Sequence, residues 1–259
     1  LASGNIEESL DKQAVAECTK ALLEAGCDAL CIAFINSYAN NANEQWAAEI
    51  ARAIWPNDHV TVSSDILPEI REFERTSTAC ANAYVQPLMQ SYLERLAAQL
   101  REAGHDGTLY IMLSGGGITS VRDAQAYPIR LIESGPAAGA MAASYYSTIS
   151  ETENLISYDM GGTTAKMCLI DGGQPDRKHD FEAGRIRRFA KGSGLPLKVS
   201  VVDMIEIGAG GGSLASVDQM GLLKVGPRSA GSQPGPVCYG QGGVEPAVTD
   251  ADLFLGYLN

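Results

Sequence analysis

The sequence predicts an α/β fold, and two observations support this. Helix-like and strand-like segments alternate through the first 64 residues, an order typical of strands joined in a parallel sheet. The strand-like segments are short continuous apolar runs such as residues 28–34, as expected for strands that are buried on both faces. The 259 residues provide for one large domain or two small ones with a sizeable core.

The first half of the chain predicts three helices, over residues 9–25, 43–55 and 72–102, and three strands, over residues 28–34, 59–64 and 109–113. Apolar residues recur at helical spacing from Leu10 to Leu22, and Gly26 then ends the helix. Pro87 lies inside the third helix, so we expect a break or kink near Gln86.

The second half predicts a helix rich in small residues over 134–148 and strands over 154–158, 165–170 and 197–207. Thr249 and Asp250 are typical of the N-cap of a final helix. The character of the sequence changes near residue 150, so we expect two domains, 1–150 and 151–259, with the boundary at 148–152. The chain begins at Leu1 and ends where a helix has just begun, which indicates a segment of a longer polypeptide.

Composition argues against several classes of partner. The net charge is −12 and the pI is about 4.7, the opposite of what a nucleic-acid-binding protein carries. No uninterrupted apolar window reaches the length of a membrane span, and no signal peptide is evident. The six cysteines form no CxxC pair. We therefore expect a cytoplasmic protein that binds neither nucleic acid nor membrane.

The strongest functional signal is the segment DMGGTT between two strand-like runs. Gly161 and Gly162 allow backbone N–H groups to turn toward an anion, and Thr163 and Thr164 add hydroxyl donors. Asp159, at the end of the first strand, is suited to hold Mg²⁺ through water or to orient an attacking water. The alternative is a tight hairpin turn with a solvated carboxylate, but the glycine pair and the two threonines favour a phosphate-binding loop.

Two other glycine-rich stretches follow strand-like runs. The stretch Gly208–Ser213, with Gly210, Gly211, Gly212 and Ser213, is too rich in glycine for a plain turn, and we interpret it as a close approach to a nucleotide. The stretch at 115–120 resembles a dinucleotide-binding loop, but both stretches lack the third glycine and a suitable acid downstream, so a nicotinamide site is weakly supported. No Walker A pattern occurs.

Three further segments leave alternatives open. The run SGPAAGA at 134–140 fits either close helix packing or a phosphate at a helix N-terminus. The charged segment 70–76 fits either a solvated first helical turn or a contact with a substrate or a partner. Seven basic residues within 177–198 form either a solvated face or a local positive patch; they are Arg177, Lys178, Arg185, Arg187, Arg188, Lys191 and Lys198.

Taken together, the motifs resemble those of the ATP-dependent hydantoinase/5-oxoprolinase family, which includes related subunits of ketone carboxylases. The matching stretches span nearly the whole chain in order; they are SSDILPEIREFERTSTACANAYVQP (63–87), SGPAAGA (134–140), DMGGTTAK (159–166), IGAGGGSLASVD (207–218), VGPRSAGSQPGPVCYGQGG (225–243) and VTDADLFLG (248–256). Each stretch alone is modest in specificity, and the ordered set is highly specific.

The resemblance implies an actin-like, sugar-kinase-like ATPase fold of two α/β lobes, incomplete here at both ends. DMGGTT then corresponds to the second of two phosphate loops, and SGPAAGA to the helix that links the lobes. It also implies ATP and Mg²⁺ as cofactors, a cyclic amide such as a hydantoin or 5-oxoproline as substrate, and a second subunit of the hydantoinase B type. ATP would phosphorylate the ring carbonyl oxygen and so make the amide labile to water.

Two positions depart from the pattern of many relatives. Lys166 stands where an aspartate follows the glycine pair, which reverses a charge beside the phosphates, and Ile205 stands where a histidine occurs. We include Lys166 among the residues that contact the cofactor. Both departures leave open a ketone carboxylase subunit, and a non-catalytic actin-like ATP-binding module is an alternative of a different class.

Overall fold

The computed structural model describes residues 1–184 and 192–259, and it confirms an α/β fold. Its contacts divide the chain into two compact units, Leu1–Ala137 with Arg177–Val201, and Ala138–Asp176 with Val202–Asn259. The division falls inside the helix predicted over 134–148, and therefore before the predicted boundary at 148–152. Residues 177–201 also belong to the first unit, although they follow that boundary. The assignment of 1–150 and 151–259 to two lobes stays a prediction.

The first unit begins with two helix–strand pairs. In chain order they are α1 Lys12–Glu24, β1 Leu30–Ile32, α2 Ala42–Arg52 and β2 Val60–Val62. The Asp11 carboxylate caps α1 by accepting hydrogen bonds from the N–H groups of Gln13 and Ala14. Strands β1 and β2 pair in parallel, with Leu30 opposite Val60, as the alternating order predicted. Their apolar side chains pack with α2 in one core cluster, which also contains Ala47, Ala48, Ala51 and Trp55.

A short helix α3, Ser63–Ile66, leads to the long helix α4, Glu72–Glu102. Helix α4 continues through Pro87, so of the break or kink expected near Gln86 the break does not occur, and the kink stays a prediction. Proline removes only the hydrogen bond to the carbonyl of Ala83. Buried side chains fix the helix just before this point: the Asn82 amide donates to Thr61 Oγ1 (3.0 Å), and that hydroxyl donates to Gln86 Oε1 (3.3 Å). These tertiary contacts outweigh the local preference.

The rest of the first unit is built from β3 Tyr110–Met112, β4 Ile118–Ser120, α5 Val121–Ala126, β8 Arg177–Ala183 and most of β9 Leu195–Val202. Strand β3 pairs antiparallel with β4, so within the described residues the parallel sheet contains β1 and β2 alone. Strand β9 packs on α4 and completes a second core cluster with Ile66, Leu67, Ala79, Ile129, Leu197, Val199 and Val201.

Helix α6, Ser134–Ile149, covers the predicted small-residue segment. The second unit then contains β5 Leu155–Met160, β6 Ala165–Asp171, β7 Gln174–Pro175 and β10 Ile205–Ile207, in the antiparallel order β10-β6-β5 with β7 beside β6. The strand predicted over 197–207 is therefore two strands, β9 and β10. A second hairpin, β11 Ser213–Val217 with β12 Leu223–Ser229, was not predicted, and helix α7, Val248–Phe254, closes the unit.

Four residues of the predicted basic cluster, Arg185, Arg187, Arg188 and Lys191, lie outside the described residues. Of the remaining three, the Lys198 ammonium lies 3.4 Å from a Glu69 carboxylate oxygen and 3.7 Å from one of Asp180. Among the helices described here, none is both long and apolar enough to cross a membrane.

A buried charged network holds the carboxyl ends of β1 and β2. The Glu44 side chain is fully buried, and its carboxylate accepts hydrogen bonds from Phe34 N (2.7 Å), Ser63 Oγ (2.6 Å) and Ser64 N (2.9 Å). The guanidinium of Arg75, also fully buried, donates to Ser63 Oγ and to the carbonyl of Phe34. Burial alone would raise the pKa of Glu44, but these hydrogen bonds outweigh it and hold the pKa below its ordinary value.

We predict that Glu44→Gln lowers the free energy of unfolding at pH 7 by about 1.5–3 kcal/mol, because an amide replaces a charged acceptor of three hydrogen bonds. The folded-state pKa is depressed, so this stabilisation is present above the unfolded pKa of about 4.3 and is lost as the pH falls through the folded value. Urea unfolding at several pH values should therefore show the difference between wild type and variant shrinking below about pH 4.3.

Glu49→Gln on the exposed face of the same helix provides the matched control. It should change the unfolding midpoint little. A Glu44→Gln variant as stable as this control at pH 7 would contradict the role of the network.

Candidate functional site

The segment DMGGTT forms the tip of the β5–β6 hairpin. Asp159 pairs with Lys166 and Met160 with Ala165, so both flanking pairs belong to the strands. The turn itself consists of residues 161–164, and it is closed by a hydrogen bond from Gly161 N to the carbonyl of Thr164 (2.9 Å). Asp159 therefore lies on a strand whose register fixes its direction, one residue before the turn.

The glycine-rich loop Gly208–Ser213 packs directly behind this turn. Gly211 N donates to the carbonyl of Gly161 (2.9 Å), and Gly212 N donates to the carbonyl of Gly162 (2.8 Å). A Cβ on Gly210 would lie 2.6 Å from both Gly161 O and Thr163 N. Only glycine permits this approach to the backbone of the hairpin. The close approach to a nucleotide that the sequence predicted for this loop stays a prediction.

The two loops differ in which N–H groups are already bonded. In the rear loop, Gly210 N donates to Ser213 Oγ and Ser213 N donates to the carbonyl of Gly210. Together with Gly211 and Gly212, the N–H groups of residues 210–213 are therefore all hydrogen-bonded. Across residues 1–184 and 192–259, by contrast, no acceptor is found for the N–H groups or hydroxyls of the tip, namely Gly162 N, Thr163 N, Thr164 N, Thr163 Oγ1 and Thr164 Oγ1. The turn therefore presents unused donors on a braced support, as an anion site requires.

The predicted charged residues lie on one face of the sheet. The Asp159 side chain is exposed, and one carboxylate oxygen lies 3.9 Å from the position that a Cβ would take on Gly139 of α6. Within the described part of the chain, this carboxylate has no hydrogen-bond or ion-pair partner. Lys166 lies opposite Asp159 on one side and opposite Glu206 of β10 on the other, so three charges form a row across the sheet. Sequence reasoning missed Glu206, because only the register reveals it.

A cavity of about 700 Å³ opens on the opposite face of the hairpin. Its walls include the turn residues Gly161, Gly162 and Thr163, and the rear-loop residues Gly211 and Gly212. The other lining residues are Tyr158, Met160, Ser229, Gly231, Ser232, Pro236, Tyr239, Thr249, Asp252, Tyr257 and Leu258. Three tyrosine rings, several hydroxyls and one carboxylate suit a ligand with a flat apolar body and polar edges.

The structure thus divides the predicted site residues into three groups. Gly161, Gly162, Thr163, Gly211 and Gly212 share the cavity. Asp159 and Lys166 lie on the other face, because side chains alternate along a strand. The remaining three, Thr164, Gly210 and Ser213, contribute to the turn and its support without lining the cavity. Sequence reasoning missed Tyr158, Tyr239, Tyr257 and Asp252, since only the fold brings these residues to the turn.

The N-terminus of α7 supports the cavity from behind. The helix begins at Val248 with Ala247 as N-cap, so the predicted N-cap at Thr249 and Asp250 is two to three residues late. Thr249 donates both its N–H and its hydroxyl to the carbonyl of Gly211. Burial tends to raise the pKa of Asp250, but the N–H groups of Ala247 and Cys238 and other donors hold that pKa below its ordinary value.

Metal ligands are sparse around the turn. Among the residues that the structure describes, no group of three or more His, Cys, Asp or Glu side chains could hold a metal ion. Magnesium prefers an octahedral shell that keeps several waters and combines one or two carboxylates with substrate phosphates. Asp159, whose carboxylate has no partner among the described residues, suits an ion that is bound mainly by water and phosphate. It does not suit an ion that is bound by protein ligands alone.

Comparison with known proteins establishes the family. The hydantoinase/oxoprolinase family model matches residues 75–259, and the model of the hydantoinase/oxoprolinase N-terminal region matches residues 1–55. The chain therefore belongs to the hydantoinase/oxoprolinase family, which confirms the resemblance inferred from the motifs.

Several relatives match along nearly the whole chain. An uncharacterized protein of Methanocaldococcus jannaschii is 42% identical over 99% of this chain. The caprolactamase alpha subunit of Pseudomonas jessenii is 38% identical over 100% of this chain. The acetophenone carboxylase gamma subunit of Aromatoleum aromaticum is 35% identical over 99% of this chain. The matches cover 38%, 36% and 35% of those proteins, so the chain spans little more than a third of their length.

A solved structure shows the same fold. The crystal structure of ATP-dependent caprolactamase from Pseudomonas jessenii superposes with a TM-score of 0.77 at 36% identity, over 100% of this chain and 36% of that one.

We predict that Gly210→Ala destabilises the second unit by about 1–3 kcal/mol, because the new methyl group meets backbone atoms that cannot turn aside. Urea unfolding measures the effect directly. Gly162→Ala is the matched control, since no atom lies within 4 Å of its added Cβ and its φ is not positive. Equal stability of the two variants would show that the rear loop does not support the turn.

Proposed function

We propose that this chain is the phosphate-binding segment of an enzyme that hydrolyses a cyclic amide at the expense of ATP. The observation that carries the proposal is the turn 161–164, held from behind by Gly211 and Gly212, whose three N–H groups and two hydroxyls have no acceptor within residues 1–184 and 192–259. The caprolactamase with the same fold is described as ATP-dependent, and its name indicates a lactam substrate. The complete protein is expected to act in the cytoplasm.

The proposal includes an actin-like, sugar-kinase-like ATPase fold with two α/β lobes, to which residues 1–150 and 151–259 contribute. A helix of small residues that leads into a hairpin with a glycine–threonine tip supports this arrangement in the second lobe. The hairpin would supply one of two phosphate loops.

Each part of the site has a role in the proposal. The donors of Gly161, Gly162, Thr163 and Thr164 bind phosphate oxygens, and the rear loop keeps the turn rigid. The cavity beside the turn accepts the nucleoside, with Tyr158, Tyr239 and Tyr257 as surfaces against which a base stacks. The row of Asp159, Lys166 and Glu206 places charges of both signs at the end of the sheet next to the turn.

Magnesium, when bound, would neutralise part of the phosphate charge, and Asp159 is the residue suited to hold it through water. The same carboxylate is the catalytic residue in this proposal, because it is free to orient a water at the phosphates. The Asp159 carboxylate has no partner among the described residues, so it can hold magnesium or orient a water without losing an existing contact.

The proposed reaction is phosphoryl transfer to the ring carbonyl oxygen. The bond from the γ-phosphorus to the bridging oxygen of ADP breaks as a lone pair of the carbonyl oxygen forms the new P–O bond, and ADP leaves. The amide carbon of the resulting phosphate ester is open to attack by water. One water adds to this carbon, the ring nitrogen takes up a proton as the C–N bond breaks, and a second water then releases phosphate from the acyl phosphate. The protein's contribution is to position the acceptor and stabilise charge. A second subunit of the hydantoinase B type would complete the hydrolysis.

A ketone carboxylase subunit is the second candidate. The acetophenone carboxylase gamma subunit is 35% identical along 99% of this chain, and Lys166 and Ile205 fit a branch with a different acceptor. ATP binding without turnover, as in a non-catalytic actin-like module, is the third.

The deciding experiment is steady-state ATP hydrolysis by the complete protein with its partner subunit. Caprolactam, 5-oxoproline and hydantoin form one set of substrates, and acetone or acetophenone with bicarbonate forms the other. We expect stimulation by the first set. Stimulation by ketones alone would assign the chain to the carboxylases, and ATP binding without any stimulation would assign it to the non-catalytic modules.

We predict that Asp159→Asn in the complete enzyme lowers kcat at least about 100-fold with little change in stability, because the exposed carboxylate serves ligands and not the core. Asp171→Asn, at the far end of the neighbouring strand, is the matched control and should retain wild-type turnover. Turnover of Asp159→Asn within about twofold of the control would contradict its role.

A further inference from the structure

A second cavity lies in the first unit and takes no part in the proposed ATP site. It has a volume of about 350 Å³. Its floor consists of core side chains, and its rim carries the glycine turn after β3 together with two cations. The lining residues are Ile66, Leu67, Leu113, Gly115, Gly117, Ile129, Arg130, Lys198, Val199 and Ser200. An apolar chamber with a few polar groups at its mouth is the usual form of a small-molecule site.

The glycine turn is shaped to present backbone donors. Gly116 has a φ of +85° and closes the turn through a hydrogen bond from its N–H to the carbonyl of Leu113. A Cβ on Gly115 would lie 3.0 Å from Ser200 Oγ and 3.3 Å from the Ser200 carbonyl oxygen, so a larger residue would crowd the turn against β9. In residues 1–184 and 192–259, the N–H groups of Gly115 and Gly117 find no acceptor.

Arg130 is fixed to this turn. The carbonyl of Arg130 accepts two hydrogen bonds from buried Ser114, one from its N–H (2.9 Å) and one from its hydroxyl (2.6 Å). The guanidinium lies 4.6 Å from the centre of the Tyr127 ring, and it donates one long hydrogen bond, 3.4 Å, to the carbonyl of Ile66. No carboxylate in the described part of the chain pairs with it.

The charged side chains at the rim indicate which ligand charge the cavity favours. The Lys198 ammonium is already shared by the carboxylates of Glu69 and Asp180. Those two carboxylates outnumber Lys198 by one negative charge, so Arg130 brings the four side chains to a net charge of zero. Arg130 is the cation at this rim that no carboxylate among the described residues pairs with, so it is available to a ligand of single negative charge. A guanidinium fork pairs with a carboxylate through two parallel hydrogen bonds. A phosphate dianion would bring a second charge that the nearby Glu69 and Asp180 oppose.

We propose that this cavity binds a small aliphatic carboxylate. Arg130 and the N–H groups of Gly115 and Gly117 hold the carboxylate, and the apolar wall formed by Leu67, Ile129 and Val199 receives the hydrocarbon body. Ser114 is a positioning residue, since it fixes Arg130 without reaching the ligand. This site does not depend on the function proposed for the β5–β6 hairpin.

The test is isothermal titration of the complete protein at pH 7 with hexanoate. We expect saturable binding that is at least about 10-fold weaker in Arg130→Gln and weakened to a smaller extent in Arg130→Lys, which keeps the charge and loses the fork. Arg122→Gln removes an exposed arginine from α5, outside the cavity, and should bind as the wild type does. Because Arg130 is itself exposed, these variants should fold normally.

Two further ligands of equal length separate the alternatives. Hexan-1-ol should bind at least about 10-fold more weakly than hexanoate, because it lacks the charge. Tighter binding of hexyl phosphate than of hexanoate would overturn the carboxylate assignment in favour of a phosphate site. Absence of hexanoate binding, or equal binding by Arg130→Gln and the wild type, would overturn the site itself.

Discussion

The second unit depends on the contact between two stretches of glycine backbone. The turn at 161–164 is held from behind by hydrogen bonds from Gly211 and Gly212, and Gly210 approaches so closely that even a methyl group would not fit. Thr249 of α7 bonds in turn to Gly211, which connects the helix to the same support. A turn on its own would fluctuate, whereas this one is fixed on a layer of backbone before any ligand binds.

That rigidity explains how a chain of net charge −12 can be suited to a polyanion. Long-range electrostatics oppose the approach of phosphate, so attraction has to come from donors at short range. Backbone N–H groups on a turn that is already fixed in place require little reorganisation when they meet an oxyanion. The N–H groups of Gly211 and Gly212 hold the turn, while those of Gly162, Thr163 and Thr164 have no acceptor among the described residues.

The sequence predicted the types of most elements, because apolar periodicity and glycine position are local signals. It allowed a break at Pro87 that does not occur, and there Asn82 donates to the Thr61 hydroxyl, which donates to Gln86. It also joined β9 and β10 into one strand, since an apolar run does not show that its ends pair with different partners. The DMGGTT turn was visible in the sequence. The loop behind it was predicted to approach a nucleotide, and its contact with the hairpin backbone was not foreseen.

The wall of the cavity and the charge row could not be predicted. Tyr239 and Tyr257 lie far along the chain from the turn, and nothing local marks them as neighbours of Tyr158. Glu206 joins Asp159 and Lys166 only through the register of β10 against β6. Such residues meet through tertiary structure, which a single sequence read for its motifs does not contain.

The central claim is that the free donors of the turn bind the phosphates of ATP. Amide NMR of the complete protein, labelled selectively at glycine and threonine, tests it with a slowly hydrolysed Mg²⁺–ATP analogue. We predict that the largest shifts occur at Gly162, Thr163 and Thr164, while Gly211 and Gly212 stay protected from hydrogen exchange with and without the ligand. Saturable nucleotide binding that leaves those three amides unshifted would contradict the account.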